Sequence, residues 1–375
     1  MERIYFDNAA TTSLDPEVLN AMMPYLTEKF GNPSSIYSYG RECRMAVEQA
    51  RKTVARLLNA HPAEIFFTSG GTESSNTAIA AAVCDLECRQ IITSPIEHHA
   101  TLHTVDYYQK KGAATVHYLR LLPNGHIDHE HLEQLLSGMK SRCLVTLMHA
   151  NNEIGNLLDL ETVGNICKKY GAVFHSDTVQ TLGHYPFNLK NSGLHFIAGA
   201  AHKFHGPKGV GILYVNENVK VHPYMHGGSQ ERNMRAGTEN VYGIVGFAKA
   251  LELANASMET DRKSIGKLKE YMAAQLKSAI PDIRFNGDAF GNSLYTVLSV
   301  GFPKSEKSEM LLFNLDINQI CASGGSACTS GVEQGSHVIG AIYPESDRVT
   351  VRFSFNRHNT NQEVDRVVGK LKELI

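Results

Sequence analysis

The sequence predicts an α/β protein whose large domain is a mostly parallel, seven-stranded sheet flanked by helices, and three features support this. Short apolar runs alternate with amphipathic stretches of helical length over the first two-thirds of the 375 residues. The apolar runs are rich in Ile, Val and Phe, as is usual for strands that are buried on both faces. Segments of helical length between consecutive strands favour crossover connections, and crossovers join parallel strands.

The helices and strands of this domain are predicted in order from local signals. Asp15-Pro16-Glu17 begins the first helix, with Asp as the N-cap and Pro at the first helical position. A second helix is predicted over Arg41–Leu58. The seven strands are predicted at Glu64–Thr68, Gln90–Thr93, Thr115–Leu119, Arg142–Met148, Ala172–Ser176, His195–Ala198 and Gly209–Val215. Helices at about 72–85, 98–111, 128–138 and 159–170 separate most of them.

The pattern changes after Thr238 and predicts a second, smaller domain. A long helical region over Tyr242–Ile280 is followed by the shorter strands Leu294–Val300, Ile317–Cys321 and Arg348–Ser354, and by a last helix over Thr360–Ile375. We therefore predict a large domain over residues 16–250 and a smaller α+β domain over residues 251–375. The N-terminal segment, residues 1–15, is predicted to pack with the smaller domain.

Composition excludes several classes of function. The net charge of -2 provides no field for non-specific binding to nucleic acid or to an anionic membrane. No apolar stretch approaches the length of a membrane span, and the first residues lack the apolar core of a signal peptide. Seven cysteines without a Cys-x-x-Cys pair argue against a disulfide framework or a structural zinc site. We expect a cytoplasmic protein with free thiols.

The segment Thr68–Ser74 has the composition of an anion-binding turn. It follows a predicted strand, opens a predicted helix and contains Gly70, Gly71 and Thr72. Glycines let the backbone approach an anion, and the N–H groups at a helix start point towards it. A tight turn with no ligand is the alternative interpretation. No Gly-Lys-Ser/Thr follows, so a single phosphate monoester fits better than a triphosphate.

Two charged residues follow the ends of successive predicted strands. Asp177 ends one strand, and Lys203 follows the next within a Gly-rich segment. Strand ends of an open sheet are where ligands bind. An amine and a carboxylate in this arrangement suit pyridoxal 5'-phosphate (PLP), because the lysine forms a Schiff base and the carboxylate holds the ring nitrogen protonated. A surface lysine and an N-capping aspartate remain the alternatives.

The order of these and other motifs resembles the NifS/IscS-type cysteine desulfurases. The match is collinear from residue 5 to about residue 360. It implies a PLP enzyme of fold-type I from the class V aminotransferase family that acts as a homodimer. The matching blocks are Asp7–Thr12, Gly31–Ser35, Thr68–Ser74, Glu97–Ala100, Met148–Gly155, Asp177–Gln180, His202–Lys203, Gly227–Arg232, Arg235–Asn240, Ser323–Ser330 and Val351–Ser354.

The resemblance implies a role for each matching residue. Lys203 would carry the Schiff base, Asp177 would bind the ring nitrogen, and His98 would stack on the ring and relay protons. Arg352, helped by Asn32, would bind the substrate carboxylate. The remaining cofactor contacts implied are Asn152 and Gln180 to the phenolic oxygen, Gly71, Thr72 and His202 to the phosphate, and Thr238 to the phosphate of the partner subunit's cofactor.

Cys328 is the predicted nucleophile. It lies in a Gly/Ser/Ala-rich segment without apolar periodicity, whereas the other six cysteines lie in predicted helices or apolar strands, where cysteine is usually a small buried side chain. The resemblance implies that L-cysteine is converted to L-alanine while its sulfur passes to Cys328 as a persulfide. A sulfur-acceptor protein would take it next. Whether that acceptor is an iron–sulfur scaffold, a tRNA-modifying enzyme or a general carrier is left open.

Two positions depart from the family pattern. Ala200 stands where the family usually has a serine on the cofactor phosphate, and Tyr37 stands where it usually has a histidine. Three alternative functions remain at this point. One is a selenocysteine lyase or other PLP lyase of the same fold, and one is a non-catalytic scaffold protein. The third is a metallohydrolase using His126, His129 and His131, but this cluster lacks helical His-x-x-x-His spacing and no metal is expected.

Overall fold

The computed structural model describes residues 3–305, 308–324 and 335–375. Its strands are β1 (Ile4–Tyr5), β2 (Ile65–Thr68), β3 (Gln90–Thr93), β4 (Thr115–Tyr118), β5 (Cys143–Thr146), β6 (Val173–Asp177), β7 (Phe196–Ala200), β8 (Gly211–Val215), β9 (Arg284–Phe285), β10 (Val297–Phe302), β11 (Ile320–Cys321) and β12 (Val349–Ser354). Its helices are α1 (Pro16–Thr27), α2 (Ser38–Leu57), α3 (Gly71–Cys84), α4 (His99–Lys110), α5 (His129–Gly138), α6 (Leu160–Tyr170), α7 (Val241–Ala279), α8 (Leu311–Ile317), α9 (His337–Ile342) and α10 (Asn361–Leu374).

The largest sheet has seven strands in the order β2-β8-β7-β6-β5-β3-β4. Strand β8 runs antiparallel to both of its neighbours, and the other pairs are parallel. The prediction of a mostly parallel seven-stranded sheet flanked by helices is therefore confirmed. Because β8 is antiparallel to β2 and to β7, the strands β2, β3, β5, β6 and β7 all end at the same edge.

Both faces of this sheet are covered by helices, as the alternation of side chains along each strand requires. Phe174 and Ile197 point into a cluster formed with α1, α2, α5, α6 and the first part of α7. Their neighbours Val173 and Phe196 point into a cluster on the opposite face, formed with α3 and α4. We call the sheet and these helices the sheet region.

Acidic N-caps set the starts of several helices of the sheet region. The Asp15 carboxylate accepts the N–H of Glu17 at 2.8 Å, and Asp128 and Asp159 cap α5 and α6 in the same way. A carboxylate here satisfies a backbone N–H that has no partner within the helix and lies at the positive end of the helix dipole. The predicted start of α1 at Pro16 is confirmed.

A second hydrophobic cluster surrounds the antiparallel sheet β12-β10-β9 and includes α8, α10 and the last part of α7. We call this the C-terminal region. Strand β1 pairs in parallel with β11, and Ile4 and Phe6 lie in the same cluster. Helix α7 contributes Phe247 to the sheet region and Met272 to the C-terminal region, so the chain passes between them inside one helix. Domain bounds at residues 15 and 250 stay predictions.

One predicted strand is wrong in part. Residues 317–321 were expected to be extended, but α8 continues to Ile317 and only Ile320–Cys321 pairs as a strand. The backbone of Gln319 is left-handed, with φ of 60°, and its N–H is donated to the carbonyl of Asp316. This turn ends the helix and shortens the strand. Among the described residues, no helix combines the length and apolar character needed to cross a membrane.

Candidate active site

A cavity of about 220 Å³ lies at the edge of the seven-stranded sheet where the parallel strands end. Each of four neighbouring strands is followed by side chains that line it. His98 follows β3, Asn152 follows β5, Asp177 ends β6, and Lys203 follows β7. The first residues of α3, Gly71 and Thr72, line another wall. The cavity therefore occupies the position where open α/β sheets bind ligands.

Asp177 is a buried carboxylate, and one of its oxygens accepts a backbone hydrogen bond. Its side chain is 7% exposed, and Oδ1 accepts the N–H of Val179 at 3.0 Å. The same carboxylate lines the cavity. Burial raises the pKa of Asp177 above its ordinary value, while nearby His98, the Val179 N–H and Lys203 act in the opposite direction. Such a carboxylate gains from a cationic partner in the cavity.

The amine of Lys203 is held by the N-terminal segment of the chain. Nζ donates to the carbonyl oxygen of Ala9 at 2.6 Å and to that of Ala10 at 2.9 Å. The side-chain amide of Gln180 donates to the same Ala9 carbonyl at 3.0 Å. His184 lies close to the backbone carbonyl of Lys203, with Nε2 at 3.1 Å from it. The lysine is therefore fixed from two sides at the wall of the cavity.

Two imidazoles of the cavity are neutral at pH 7. Burial lowers the pKa of His98, and its Nδ1 accepts the N–H of Ala100 at 3.1 Å as the N-cap of α4. The proton of the neutral ring must then be on Nε2. Burial and the charge of Lys203 lower the pKa of His202 to about 4, and its Nδ1 lies 3.2 Å from Thr11 Oγ1. Each neutral ring can donate one hydrogen bond and accept another without adding a charge to the cavity.

Arg352 is the cationic side chain that the C-terminal region contributes to the cavity. It lies on β12, is 2% exposed and lines the wall near Asn152. Nη2 donates to Asp7 Oδ1 at 2.7 Å, and Nη1 donates to the backbone carbonyl of Asn152 at 2.8 Å. A buried guanidinium with a counter-ion and outward N–H groups is suited to binding a carboxylate.

The structure brings nine of the predicted site residues together around this cavity. Asn32 and Thr238 do not line it; both side chains are exposed on the surface of this chain. Cys328 lies outside the described residues. The nine residues are Gly71, Thr72, His98, Asn152, Asp177, Gln180, His202, Lys203 and Arg352.

Sequence reasoning missed the N-terminal contribution to the cavity. Ala9 and Ala10 line the cavity, and the Asp7 carboxylate accepts a hydrogen bond from Arg352. Asp7 comes directly after the apolar residues Ile4–Phe6. A charge at the end of an apolar run was a signal that could have identified it.

The histidines near residue 126 form no metal site in the described part of the chain. His126 Nε2 lies 3.1 Å from Asp288 Oδ2, and the His131 ring accepts the N–H of Arg120. No group of three or more potential ligands that could hold a metal was found among the described residues. These side chains serve local hydrogen bonding.

The cavity, the sheet and the lysine at a strand end are features of PLP-dependent enzymes of the aminotransferase type. The class-V aminotransferase family profile matches residues 4–367. The chain belongs to this family, whose members use PLP.

Within the family, the chain is similar to the cysteine desulfurases. It is 42% identical to cysteine desulfurase IscS of Dictyoglomus turgidum, over 99% of this chain and 94% of that protein. Among solved structures, a NifS-like protein matches with a TM-score of 0.91 and 38% identity, over 99% of both chains. SspA, solved in complex with cysteine, matches with a TM-score of 0.81 and 29% identity, over 95% of this chain and all of that one.

Proposed function

We propose that this protein is a PLP-dependent cysteine desulfurase that converts L-cysteine to L-alanine and transfers the sulfur to Cys328 as a persulfide. One observation carries the proposal: the amine of Lys203, the carboxylate of Asp177 and the guanidinium of Arg352 line one cavity. The relative from Dictyoglomus turgidum is a cysteine desulfurase, and SspA was solved in complex with cysteine.

The residues of the cavity fit PLP. Asp177 presents a buried carboxylate to the cavity, and a protonated ring nitrogen would be a suitable cationic partner for it. The N–H groups of Gly71 and Thr72 begin α3 and have no acceptor within that helix, so they suit a phosphate. His202 adds a neutral ring near them, and His98 a second ring on the cavity wall. Asn152 and Gln180 are proposed to bind the phenolic oxygen, as the resemblance implies.

When bound, PLP supplies an aldehyde that condenses with amines and a ring that withdraws electrons from the α-carbon of an amino acid. Lys203 would hold it covalently in the resting enzyme. During turnover, the Lys203 amine would take the α-proton, and the carbonyls of Ala9 and Ala10 would keep that amine at the cavity wall. The neutral His98 would relay a proton through Nε2.

Sulfur transfer needs Cys328 near the substrate, and both described ends of its segment lie beside the cavity. Ser323 exchanges backbone hydrogen bonds with Arg352, and the Ser336 hydroxyl donates to Glu153, which adjoins Asn152. Cys328 is five residues beyond Ser323 in the sequence.

The step balances without an outside oxidant. The Cys328 thiolate attacks the substrate sulfur, an S–S bond forms and the C–S bond breaks. The electron pair of the C–S bond stays on carbon, which takes up the proton that the Cys328 thiol had lost. The substrate sulfur is oxidised to the persulfide level while the carbon is reduced, and alanine leaves. We propose that a sulfur-acceptor protein, such as an iron–sulfur scaffold, then removes the sulfur.

A homodimer would explain why Asn32 and Thr238 do not line the cavity of their own chain. Gln230, in the loop before Thr238, donates to Ser34 Oγ at 3.4 Å, which joins that loop to the segment of Asn32. The same surface exposes large apolar side chains, including Ile36, which is 88% exposed. We propose that a second copy covers this surface. The mass in solution, measured by sedimentation equilibrium, should be that of two chains; a monomer would contradict it.

The function is tested by incubating the purified holoenzyme with L-cysteine and measuring alanine and, with a thiol reductant, sulfide. Cys328→Ser should lose nearly all of both products while keeping the cofactor absorbance, because only the sulfur nucleophile is removed. Cys84→Ser is the matched control, since Cys84 is an exposed thiol remote from the cavity lining. Equal alanine formation by Cys328→Ser and the wild type would overturn the persulfide mechanism.

A further inference from the structure

The N-terminal turn, residues 7–12, contacts both active-site cations. Its Ala9 and Ala10 carbonyls hold the amine of Lys203, and its first residue, Asp7, holds the guanidinium of Arg352. The two cations belong to different parts of the molecule, since Lys203 follows β7 of the sheet region and Arg352 lies on β12 of the C-terminal region. The turn is therefore the element that joins the amine side and the carboxylate side of the cavity.

Asp7 is itself firmly placed. It follows β1, which is anchored on β11, and it forms an isolated parallel bridge with Ser354. Its backbone carbonyl accepts the N–H of Ala10 at 3.0 Å and that of Thr11 at 3.4 Å, which closes the turn. The side chain, 17% exposed, reaches Arg352 Nη2 at 2.7 Å. The carboxylate thus approaches the guanidinium from a fixed backbone.

Arg352 depends on this contact for its orientation. Its Nε–H is buried and has no acceptor among the described residues, so the two Nη groups make its side-chain hydrogen bonds. One goes to a neutral carbonyl, of Asn152, and the other to the charged Asp7. A guanidinium presents its N–H groups in a rigid plane, so fixing one edge fixes where the remaining N–H groups point. A buried cation also needs a nearby anion when no substrate is bound.

We propose that Asp7 is a positioning residue that orients Arg352 for the carboxylate of an α-amino acid substrate. The inference deepens the proposed function and rests on it, because it takes Arg352 to be the carboxylate-binding residue. It predicts that Asp7 acts on recognition of the carboxylate and leaves recognition of the amine unchanged.

The test compares two probes that differ only in the carboxylate. L-Alanine and ethylamine are titrated into the holoenzyme, binding is followed by calorimetry, and cysteine kinetics are measured alongside. Asp7→Ala should raise the Kd for L-alanine and the KM for cysteine at least tenfold. The Kd for ethylamine should stay within twofold, and kcat within about threefold. Asp7→Asn keeps an acceptor of the same shape. It should raise the Kd for L-alanine and the KM for cysteine about threefold and leave the Kd for ethylamine unchanged.

Two further comparisons separate positioning from a general loss of structure. Asp282 pairs with Arg348 at 2.8 Å, away from the cavity, so Asp282→Ala is the matched control and should leave every constant unchanged. In an Arg352→Lys background, Asp7→Ala should add less than threefold to the Kd for L-alanine, because residues that act through one another are not additive.

Several results would overturn the proposal. Equal weakening of L-alanine and ethylamine would indicate a structural role, and tighter L-alanine binding by Asp7→Ala would make Asp7 a competitor of the substrate carboxylate. If Asp7→Ala does not fold, Asp7→Asn decides the test. An Asp7→Asn variant that binds L-alanine and ethylamine as the wild type does would contradict the proposal. Wild-type protein that binds L-alanine no better than ethylamine would also overturn it. Failure of the proposed function alone has a different signature: no alanine forms from cysteine, while the split between the probes remains.

Discussion

The two regions of the molecule supply different kinds of groups to the same cavity. The sheet region provides the residues proposed to hold the cofactor, and they lie at strand ends or at the start of α3, fixed by backbone geometry. The C-terminal region provides Arg352, and its residue Ser323 begins the segment that carries Cys328. Cofactor binding is therefore assigned to the sheet region and binding of the substrate carboxylate to the C-terminal region, and substitutions in each should have separable effects.

The largest effect is expected from the amine of the sheet region. Lys203→Ala should lower alanine formation from cysteine by about a thousandfold or more, because the covalent tether and the proposed base are both removed. Borohydride reduction followed by mass spectrometry should show no cofactor attached to the chain. Lys208→Ala, which changes an exposed lysine five residues further on, is the control and should remain active. A cofactor adduct trapped on the Lys203→Ala chain would contradict the assignment of Lys203 as the covalent attachment site.

A smaller effect concerns the stability of the sheet region against acid. His175 lies on β6, fully buried, with Nδ1 at 2.8 Å from Thr146 Oγ1, and burial lowers its pKa to about 3. Between pH 6.5 and about 3 the unfolded chain binds a proton that the folded chain does not. The free energy of unfolding should therefore fall as the pH falls, by about 1.4 kcal/mol per pH unit from this residue.

Urea unfolding at pH 7, 6 and 5 measures that slope. His175→Asn should flatten it by roughly this amount whatever its effect at neutral pH, since the variant has no imidazole at that site. Identical slopes for wild type and His175→Asn would contradict the assignment.

The smallest effect is expected where the chain departs from its relatives. Ala200 is 2% exposed and lines the cavity at the end of β7. Ala200→Ser would add one hydroxyl beside the proposed phosphate position and should tighten cofactor binding about fivefold, the value of one hydrogen bond of about 1 kcal/mol. Thr72→Ala removes a hydroxyl and should weaken cofactor binding. Fluorescence titration of the cofactor-free protein measures both, and unchanged affinity in both variants would place the phosphate elsewhere.

The sequence was sufficient wherever local chemistry decides the structure. Strand β3 and the start of α1 were predicted to the residue, because apolar runs and an Asp-Pro pair specify them locally. The grouping of Asp177 with Lys203 followed from the rule that parallel strands end at one edge.

Contacts between residues far apart in the chain could not be predicted. Asp7 meets Arg352 across 345 residues, and Arg51 makes a buried two-point contact with Glu231 across 180 residues. Nothing local in either partner specifies the other, because such pairs form only once tertiary packing brings two elements together. Gln319 adopts its left-handed backbone for a similar reason, in a turn set by the packing of α8. A local pattern can mark one residue of such a pair, as the apolar run marks Asp7, but it does not identify the partner.

Helix α7 has a consequence for how the molecule melts. Its 39 residues form a rod about 58 Å long that is embedded in both hydrophobic clusters. Unfolding of either cluster would remove packing from α7, and α7 is also part of the other cluster. The two clusters should therefore unfold together. We expect a single thermal unfolding peak by calorimetry. Two resolved peaks would show that one part of α7 can unfold while the other stays folded.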